Sequence, residues 1–330
     1  MIFENIRWLG MLGEAFGELK NNNEKVYSNA HAKNNWFTPE NIDYASSQWQ
    51  NMLEKPAIEK WLSAYNFDKQ RTTKSVGIIA AGNIPWVALH DVICAVVCGH
   101  KVFIKLSSAD EVLMTWAIKT INQIVPETQA KIEICESLLP HLDAIIATGS
   151  NNSARYFEYY FRNIPKIIRK NRSSVALLSN EMTELEMELL GKDIFTYFGL
   201  GCRSVSKLFI PTGFNLVALL DVFNQFEYLT NHHKFYNNYI YHKALMLMNL
   251  DKHLDNGFIT ILASKSNKAP LGQLFYEYYD DASILINDLS SNDQIQCVVG
   301  NNDGLVKFGM SQKPKLWDYA DNLDTINFLK

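Results

Sequence analysis

The spacing of apolar residues predicts helices throughout residues 1–70. The opening segment MIFENIRWLGMLGEAFG indicates an amphipathic helix, because charged residues interrupt its apolar positions. Thr38 followed by Pro39 is a typical helix start, and Trp49, Leu53 and Leu62 recur at helical intervals after it. We therefore expect an N-terminal helical region that packs on the rest of the protein.

From Lys74 the pattern changes to short β-branched runs that alternate with longer helical stretches. The runs predict buried strands and comprise SVGIIAA, KVFIKLSS, KIEICE, AIIATGS and a strand near Ile167. Helical spacing between them marks PWVALHDVICAVVCGH, ADEVLMTWAIKTINQIV and NNSARYFEYYF. Strands and helices in alternation are typical of a parallel sheet. Residues 74–172 are thus predicted to form a doubly wound nucleotide-type domain.

The remaining residues repeat this mixture, and the boundary is predicted near residue 173. Strands are expected at SSVALLS and SKLFIP, and helices at EMTELEMELLGKDIFTYF and in the aromatic-rich residues 215–249. Toward the C-terminus the pattern predicts short strands at FITILAS, SILIND, QIQCVV and LVKFG.

Composition excludes several classes of protein. With 47% hydrophobic and 20% charged residues the chain is of average globular composition, and its net charge of -4 gives no basic field for nucleic acid or anionic lipid. No leader peptide and no apolar run of about 18 residues is visible, so a cytoplasmic location without integral membrane contact is expected. Five cysteines without a CxxC pair, and eight histidines without an HExxH pattern, predict neither disulfides nor a metal site.

Polar residues and glycines follow three of the predicted strands. Gly82 and Asn83 follow the first, Lys105 ends the second with Ser107 and Ser108 behind it, and Gly149 with Ser150 follows AIIAT. Ligands of open α/β sheets bind at these carboxyl ends, where a cation, hydroxyls and helix-start amides suit ribose and phosphate. The alternative for Asn83 is a plain turn in which it caps a helix.

Cys202 lies in FGLGCRSVSKLFIP, between glycines and next to Arg203. Glycine backbone, free amides and a guanidinium favour a reactive thiolate. The alternative is a buried structural cysteine, but glycines and an adjacent charge are poorly suited to a packed core. Cys202 is therefore the candidate nucleophile.

Four segments together resemble a known family: GNIPWVALHDVICAVVCGHKVFIKLSS, AIIATGS, FGLGCRSVSKLFIP and KPKLWDYADNLDTINFL. They are similar, from Ser75 to the C-terminus and in one order, to the acyl-CoA reductase family typified by the fatty-acid reductase component of bacterial bioluminescence (LuxC). That family belongs to the aldehyde dehydrogenase superfamily. The resemblance implies an α/β fold of aldehyde dehydrogenase type, with two Rossmann-like domains, parallel sheets and an N-terminal helical region.

The resemblance also implies a domain order and a role for each candidate residue. The expected parts are a helical region (1–73), a nicotinamide-nucleotide domain (74–172), a catalytic thiol domain (173–300) and a C-terminal oligomerisation tail (301–330). The tail is expected to end in a strand, TINFLK, that adds to a neighbouring subunit's sheet. Cys202 is the implied nucleophile and Asn83 the oxyanion-stabilising amide. The implied cofactor contacts are Lys105, Ser107, Ser108, Gly149, Ser150 and Glu277.

The expected activity is reduction of an acyl-CoA, or another acyl thioester on a carrier or partner protein, to the aldehyde. NADPH is the expected cofactor, with NADH as the alternative, and the protein is expected to form homo-oligomers. The hydrolytic superfamily members carry a catalytic glutamate where this chain has RKNRSSVALL, which contains no carboxylate. Two other functions stay open: a CoA-acylating aldehyde dehydrogenase working oxidatively, and an acyl-transfer or acyl-binding subunit that does not reduce.

Overall fold

The alternation of strands and helices is present in a computed structural model of the chain, which describes residues 7–67, 72–125, 131–136 and 141–330. The chain divides into two compact units. The first comprises Met1–Asn171 together with Pro314–Lys330, and the second comprises Arg172–Lys313. The C-terminal residues thus return to the first unit.

Parallel strands form the sheet of the first unit. The five strands are β1 (Ser75–Ile79), β2 (Lys101–Lys105), β3 (Ile132–Ile134), β4 (Ala144–Thr148) and β5 (Lys166–Arg169). They lie in the order β3-β2-β1-β4-β5, and each neighbouring pair is parallel. This is the arrangement of a doubly wound nucleotide-binding sheet, in which the order reverses between β1 and β4.

Helices cover this sheet. They are α1 (Arg7–Asn22), α2 (Glu24–Lys33), α3 (Pro39–Met52), α4 (Lys55–Ser63), α5 (Leu89–Val97), α6 (Glu111–Ile124), α7 (Asn151–Tyr160) and α12 (Thr325–Leu329). The predicted start of α3 is confirmed, because the Thr38 side chain accepts a hydrogen bond from the backbone amide of Asn41 and Pro39 begins the helix. Phe16 of α1 packs edge-on against Trp86, with ring centroids 5.0 Å apart. The N-terminal helices thereby share the core of the nucleotide-type sheet.

The second unit contains a mixed sheet. Its strands are β6 (Ser173–Leu177), β7 (Val205–Pro211), β8 (Leu254–Asp255), β9 (Thr260–Ala263), β10 (Gln273–Tyr279) and β11 (Ile295–Val299). The order is β11-β6-β7-β10-β9-β8, and β8 is the antiparallel member. The helices are α8 (Glu184–Phe195), α9 (Leu216–Phe223), α10 (His233–Asn249) and α11 (Ala282–Ser290).

Three predicted strands are wrong. SILIND lies in α11, where the Asp281 carboxylate caps the helix and Leu289 packs into the core with Val175 and Phe209. LVKFG makes only an isolated bridge between Val306 and Val299. Short apolar runs of this length suit a helix as well as a strand, and packing decides between them.

The C-terminal segment TINFLK is also helical rather than extended. It forms α12, and its side chains Ile326 and Leu329 are fully buried. The backbone carbonyl of Leu329 accepts hydrogen bonds from the Lys74 ammonium at 3.1 Å and from His100 at 2.9 Å. The segment is therefore bound within its own unit as a helix, and the prediction of a C-terminal strand is wrong. Its part in contacts between subunits stays a prediction.

Candidate functional site

The loops after β1 and β2 contact each other at the carboxyl edge of the first sheet. A methyl group at Gly82 would come within 2.4 Å of the Ser107 hydroxyl oxygen and 3.2 Å of Ala109. The Ser107 hydroxyl also accepts a hydrogen bond from the Ala109 amide at 3.3 Å. Only glycine fits at position 82 without displacing this second loop. Asn83, Lys105 and Ser108 are exposed beside the contact.

The turn after β4 reaches the same edge of the sheet. Ser150 caps α7, since its hydroxyl accepts the Ser153 amide at 3.1 Å and lies 3.0 Å from the Ser153 hydroxyl. A methyl group at Gly149 would lie 3.0 Å from both Ser153 and the Phe157 ring, so the turn is close to the helix. The result is an exposed helix start next to β1, of the kind that binds phosphate.

Asp110 has a different environment from its neighbours in the β2 loop. Its carboxyl group is 1% exposed, and burial raises its pKa well above the usual range, although backbone amides of Trp86 and Val87 act in the opposite direction. Trp86 adopts a left-handed φ of 54° and donates its indole hydrogen to the Leu113 carbonyl at 2.9 Å. Asp110 therefore lies buried beneath the β1 loop, while Ser108 is the exposed residue at the edge.

In the second unit a left-handed turn leads into Cys202. Tyr197, Phe198 and Gly199 have φ values of 55°, 57° and 78°. This conformation costs a non-glycine residue about 1–2 kcal/mol, so packing must hold it. Phe198 supplies such packing, with its ring centroid 4.2 Å from that of His232. The turn ends with Cys202 half-buried immediately before β7.

Ser174 and Cys297 lie beside the Cys202 turn, and sequence reasoning missed both. Fully buried Ser174 donates its hydroxyl to the Cys202 carbonyl at 3.0 Å, and the Cys297 sulfur lies 3.0 Å from the same hydroxyl. These residues come from β6 and β11, which the sheet order makes neighbours. No local sequence signal connects residues so far apart in the chain. Arg203 also holds the turn, because its Nε donates to the Ser311 carbonyl at 2.6 Å.

Glu277 lies on β10 and pairs with a lysine that the sequence did not single out. The Lys207 ammonium on β7 is 2.5 Å from the Glu277 carboxylate and 3.2 Å from the Lys265 carbonyl. Lys207 is 1% exposed, whereas the Glu277 side chain is 39% exposed. One side of the carboxylate is thus fixed by a buried cation, and solvent reaches the other.

The glutamates just downstream of RKNRSSVALL lie away from Cys202 and are not placed to act as its base. Glu181 and Glu184 follow the carboxyl end of β6, whereas Cys202 precedes the amino end of the parallel strand β7. Glu186 belongs to a capping box with Thr183, and hydrogen bonds from that residue lower its pKa. Because β6 and β7 are parallel, these carboxylates and the Cys202 thiol lie at opposite ends of the two strands, roughly 15 Å or more apart.

The segment RKNRSSVALL brings no carboxylate to Cys202. Arg169 is buried and makes a two-pronged ion pair with buried Asp91, including an NH2–Oδ1 contact of 2.8 Å. Lys170 pairs with exposed Glu158 at 2.9 Å. The side chain from this segment that touches the Cys202 backbone is the neutral hydroxyl of Ser174.

Raised pKa values disfavour the thiolate at two of the other cysteines, Cys94 and Cys135. Cys94 and Cys98 are buried, and burial raises the pKa of Cys94 well above its usual value. Desolvation also raises the pKa of Cys135. Among the residues described, no three His, Cys, Asp or Glu side chains are grouped to hold a metal ion, and no helix is long and apolar enough to cross a membrane.

The candidate residues thus form two sets. The carboxyl edge of the first sheet carries Asn83, Lys105, Ser107, Ser108, Gly149 and Ser150. The second unit carries Cys202 in the turn before β7. It carries Glu277 on β10, the strand next to β7.

Comparison with solved structures identifies the fold. An aldehyde dehydrogenase from Mycobacterium tuberculosis, solved with NAD+, superposes with a TM-score of 0.65 at 12% identity, over 92% of this chain and 73% of that one. The NAD-dependent aldehyde dehydrogenase from Sinorhizobium meliloti gives a TM-score of 0.64 at 11% identity, over 94% of this chain and 72% of that one. The aldehyde dehydrogenase from Bacillus cereus, solved in complex with NAD+, gives a TM-score of 0.63 at 11% identity, over 92% of this chain and 72% of that one.

No protein-family model and no curated protein sequence matches the chain. The chain nevertheless has the α/β fold of the aldehyde dehydrogenases, with parallel sheets and N-terminal helices, as its sequence predicted. Likeness at these identities establishes the fold, and function must be argued from the residues themselves.

Proposed function

We propose that this protein is an NADPH-dependent reductase that converts an acyl thioester to the aldehyde through an acyl group on Cys202. The observation that carries the proposal is the setting of Cys202: a half-exposed thiol after a strained left-handed turn, in a unit of an aldehyde dehydrogenase fold. Strained backbone conformations of this kind cluster at functional sites, where the surrounding structure holds them. Burial raises the pKa values of two other thiols, Cys94 and Cys135.

The proposed reaction has two parts. The Cys202 thiolate attacks the thioester carbonyl, the carbon–sulfur bond to CoA breaks, and CoA leaves as its thiol. Bound NADPH would supply the hydride that converts the cysteinyl thioester to the aldehyde, and the carbon–sulfur bond to Cys202 would break as its thiolate leaves. The Asn83 amide and the Cys202 backbone amide are the proposed donors to the oxyanion at each step.

The first unit supplies all the proposed cofactor contacts except Glu277, which belongs to the second unit. Lys105 and the helix start at Ser150 suit the ribose and pyrophosphate, and the Gly82–Ser107 contact keeps the loops beside them in place. Ser108 carries no charge, so it does not repel the 2′-phosphate of NADPH, while Asp110 is buried beneath the loop. Glu277 is the proposed contact for the nicotinamide ribose.

Reduction is favoured over hydrolysis because no carboxylate from RKNRSSVALL reaches the Cys202 turn. Water needs a base to attack a thioester, whereas a CoA thiol exchanges with it without one. The same argument fits the CoA-acylating dehydrogenase that runs oxidatively, which differs only in the direction of flux. An acyl-binding subunit without reductase activity would not need the candidate nucleotide-binding residues at the carboxyl edge of the first sheet.

The test follows the nicotinamide absorbance of purified protein mixed with a panel of acyl-CoAs. We expect oxidation of NADPH that depends on acyl-CoA and yields aldehyde. Acylation of Cys202 without oxidation of either cofactor would identify the acyl-transfer subunit instead. Binding of NADH more than about tenfold tighter than NADPH would refute the cofactor preference, since a hydroxyl at position 108 gives no reason for it.

A further inference from the structure

Helix α10 presents an apolar surface that no part of the described second unit covers. One side of this 17-residue helix is buried through Phe235, Tyr239 and Met246. The other side is also apolar, where a helix on a protein surface ordinarily carries charges. From Ile240 onward its exposed large hydrophobic residues are Ile240, Tyr241, Leu245, Leu247, Met248 and Leu250, which we call the α10 patch.

The members of the α10 patch form one continuous surface. Tyr241, Leu245 and Met248 recur at intervals of four and three residues and form one row along the helix. Ile240 and Leu247, seven residues apart, form the adjoining row, and Leu250 follows at the C-cap. Their exposures run from 39% to 88%. With about 200 Å² for a residue of this size, the patch exposes roughly 700 Å².

That area is large for a surface facing water. The largest apolar patch on a typical monomer is about 300–600 Å². A standard stable interface buries about 800 Å² on each partner. The α10 patch therefore has nearly the area that one side of a dimer needs.

Charge points to a second copy of this chain. The cation within the C-terminal half of α10, Lys243, is already paired with Asp255 at 2.8 Å and donates to the Tyr239 hydroxyl at 3.0 Å. Helices that bind membrane surfaces carry basic residues along their polar face, and the exposed side of α10 from Ile240 onward has none. An uncharged apolar surface is complementary to itself, which is what a two-fold interface requires.

We propose that two copies of this protein associate through the α10 patch, with the two α10 helices facing each other across a two-fold axis. This replaces the C-terminal strand as the expected contact between subunits. The proposal is independent of the chemistry of Cys202.

Sedimentation velocity across a range of protein concentrations tests the proposal, with Met248→Glu as the main variant and Ile240→Glu as a second. Each puts a carboxylate into the patch, and an unpaired buried charge should raise the dissociation constant by about 100-fold or more. Ile284→Glu is the matched control, because Ile284 is a 64% exposed residue on α11 of the same unit. Circular dichroism checks that all three variants fold.

We expect the native chain and Ile284→Glu to form the same assembly, and both patch variants to fall to a species with half as many subunits. A native chain that stays monomeric at tens of micromolar overturns the proposal. So does an assembly that both patch variants leave intact, which would place the contact elsewhere. Monomers that bind neutral phosphatidylcholine vesicles through the patch would overturn it in favour of a lipid surface.

Discussion

Removal of the buried Arg169 guanidinium should strongly destabilise the first unit. In Arg169→Met the Asp91 carboxylate, 3% exposed, would lose both prongs of its ion pair, and Thr325 of α12 would lose a donor at 3.2 Å. Breaking a buried pair by removing one partner costs about 3–5 kcal/mol. With a urea m-value of about 2–3 kcal/mol per molar, the midpoint should fall by roughly 1–2 M.

Tryptophan fluorescence during urea unfolding reports this loss selectively, because all seven tryptophans lie in the first unit. The control is Lys170→Met at the next residue, whose exposed pair with Glu158 should contribute less than about 1 kcal/mol. The double variant Asp91→Leu with Arg169→Met should recover most of the stability, since no charge is then left buried. If Arg169→Met unfolds as late as Lys170→Met, the argument for this pair is refuted.

Three further outcomes concern the proposed chemistry. Acid formation from aldehyde and NADP+ without CoA should be on the order of 100-fold or more slower than acyl-CoA reduction, and equal rates would mean that a base is present. Ser108→Asp should weaken NADPH binding relative to NADH by about tenfold or more, measured as a ratio of dissociation constants; an unchanged ratio would remove Ser108 from the cofactor site. Glu277→Gln should weaken NADPH binding by roughly tenfold while Cys202 is still acylated, and loss of acylation instead would assign Glu277 a structural role with Lys207.

The first sheet could be predicted from the sequence because each of its elements has a local signal. Short β-branched runs end at Gly82, Lys105 and Gly149, and helical spacing follows each. The chain order of parallel strands then brings these ends to one edge, so the polar residues behind them were found together.

The rest depended on contacts between residues distant in the chain. Ser174, Cys297 and Lys207 were missed, since a buried serine or lysine is recognised only once its partner strand is known. The segment SILIND was assigned as a strand because six residues with three apolar positions carry no clear period. TINFLK was assigned as a strand from the resemblance. Their caps at Asp281 and Asp324 were the local signals that favoured helices.

The central claim is that Cys202 carries the acyl group, and intact-mass measurement after addition of acyl-CoA without cofactor tests it most directly. One acyl adduct should appear, should map to Cys202, and should be absent from Cys202→Ala. Cys94 should stay unlabelled, because burial raises the pKa of its thiol. An adduct on Cys94, Cys135 or Cys297 that persists in Cys202→Ala would contradict the account.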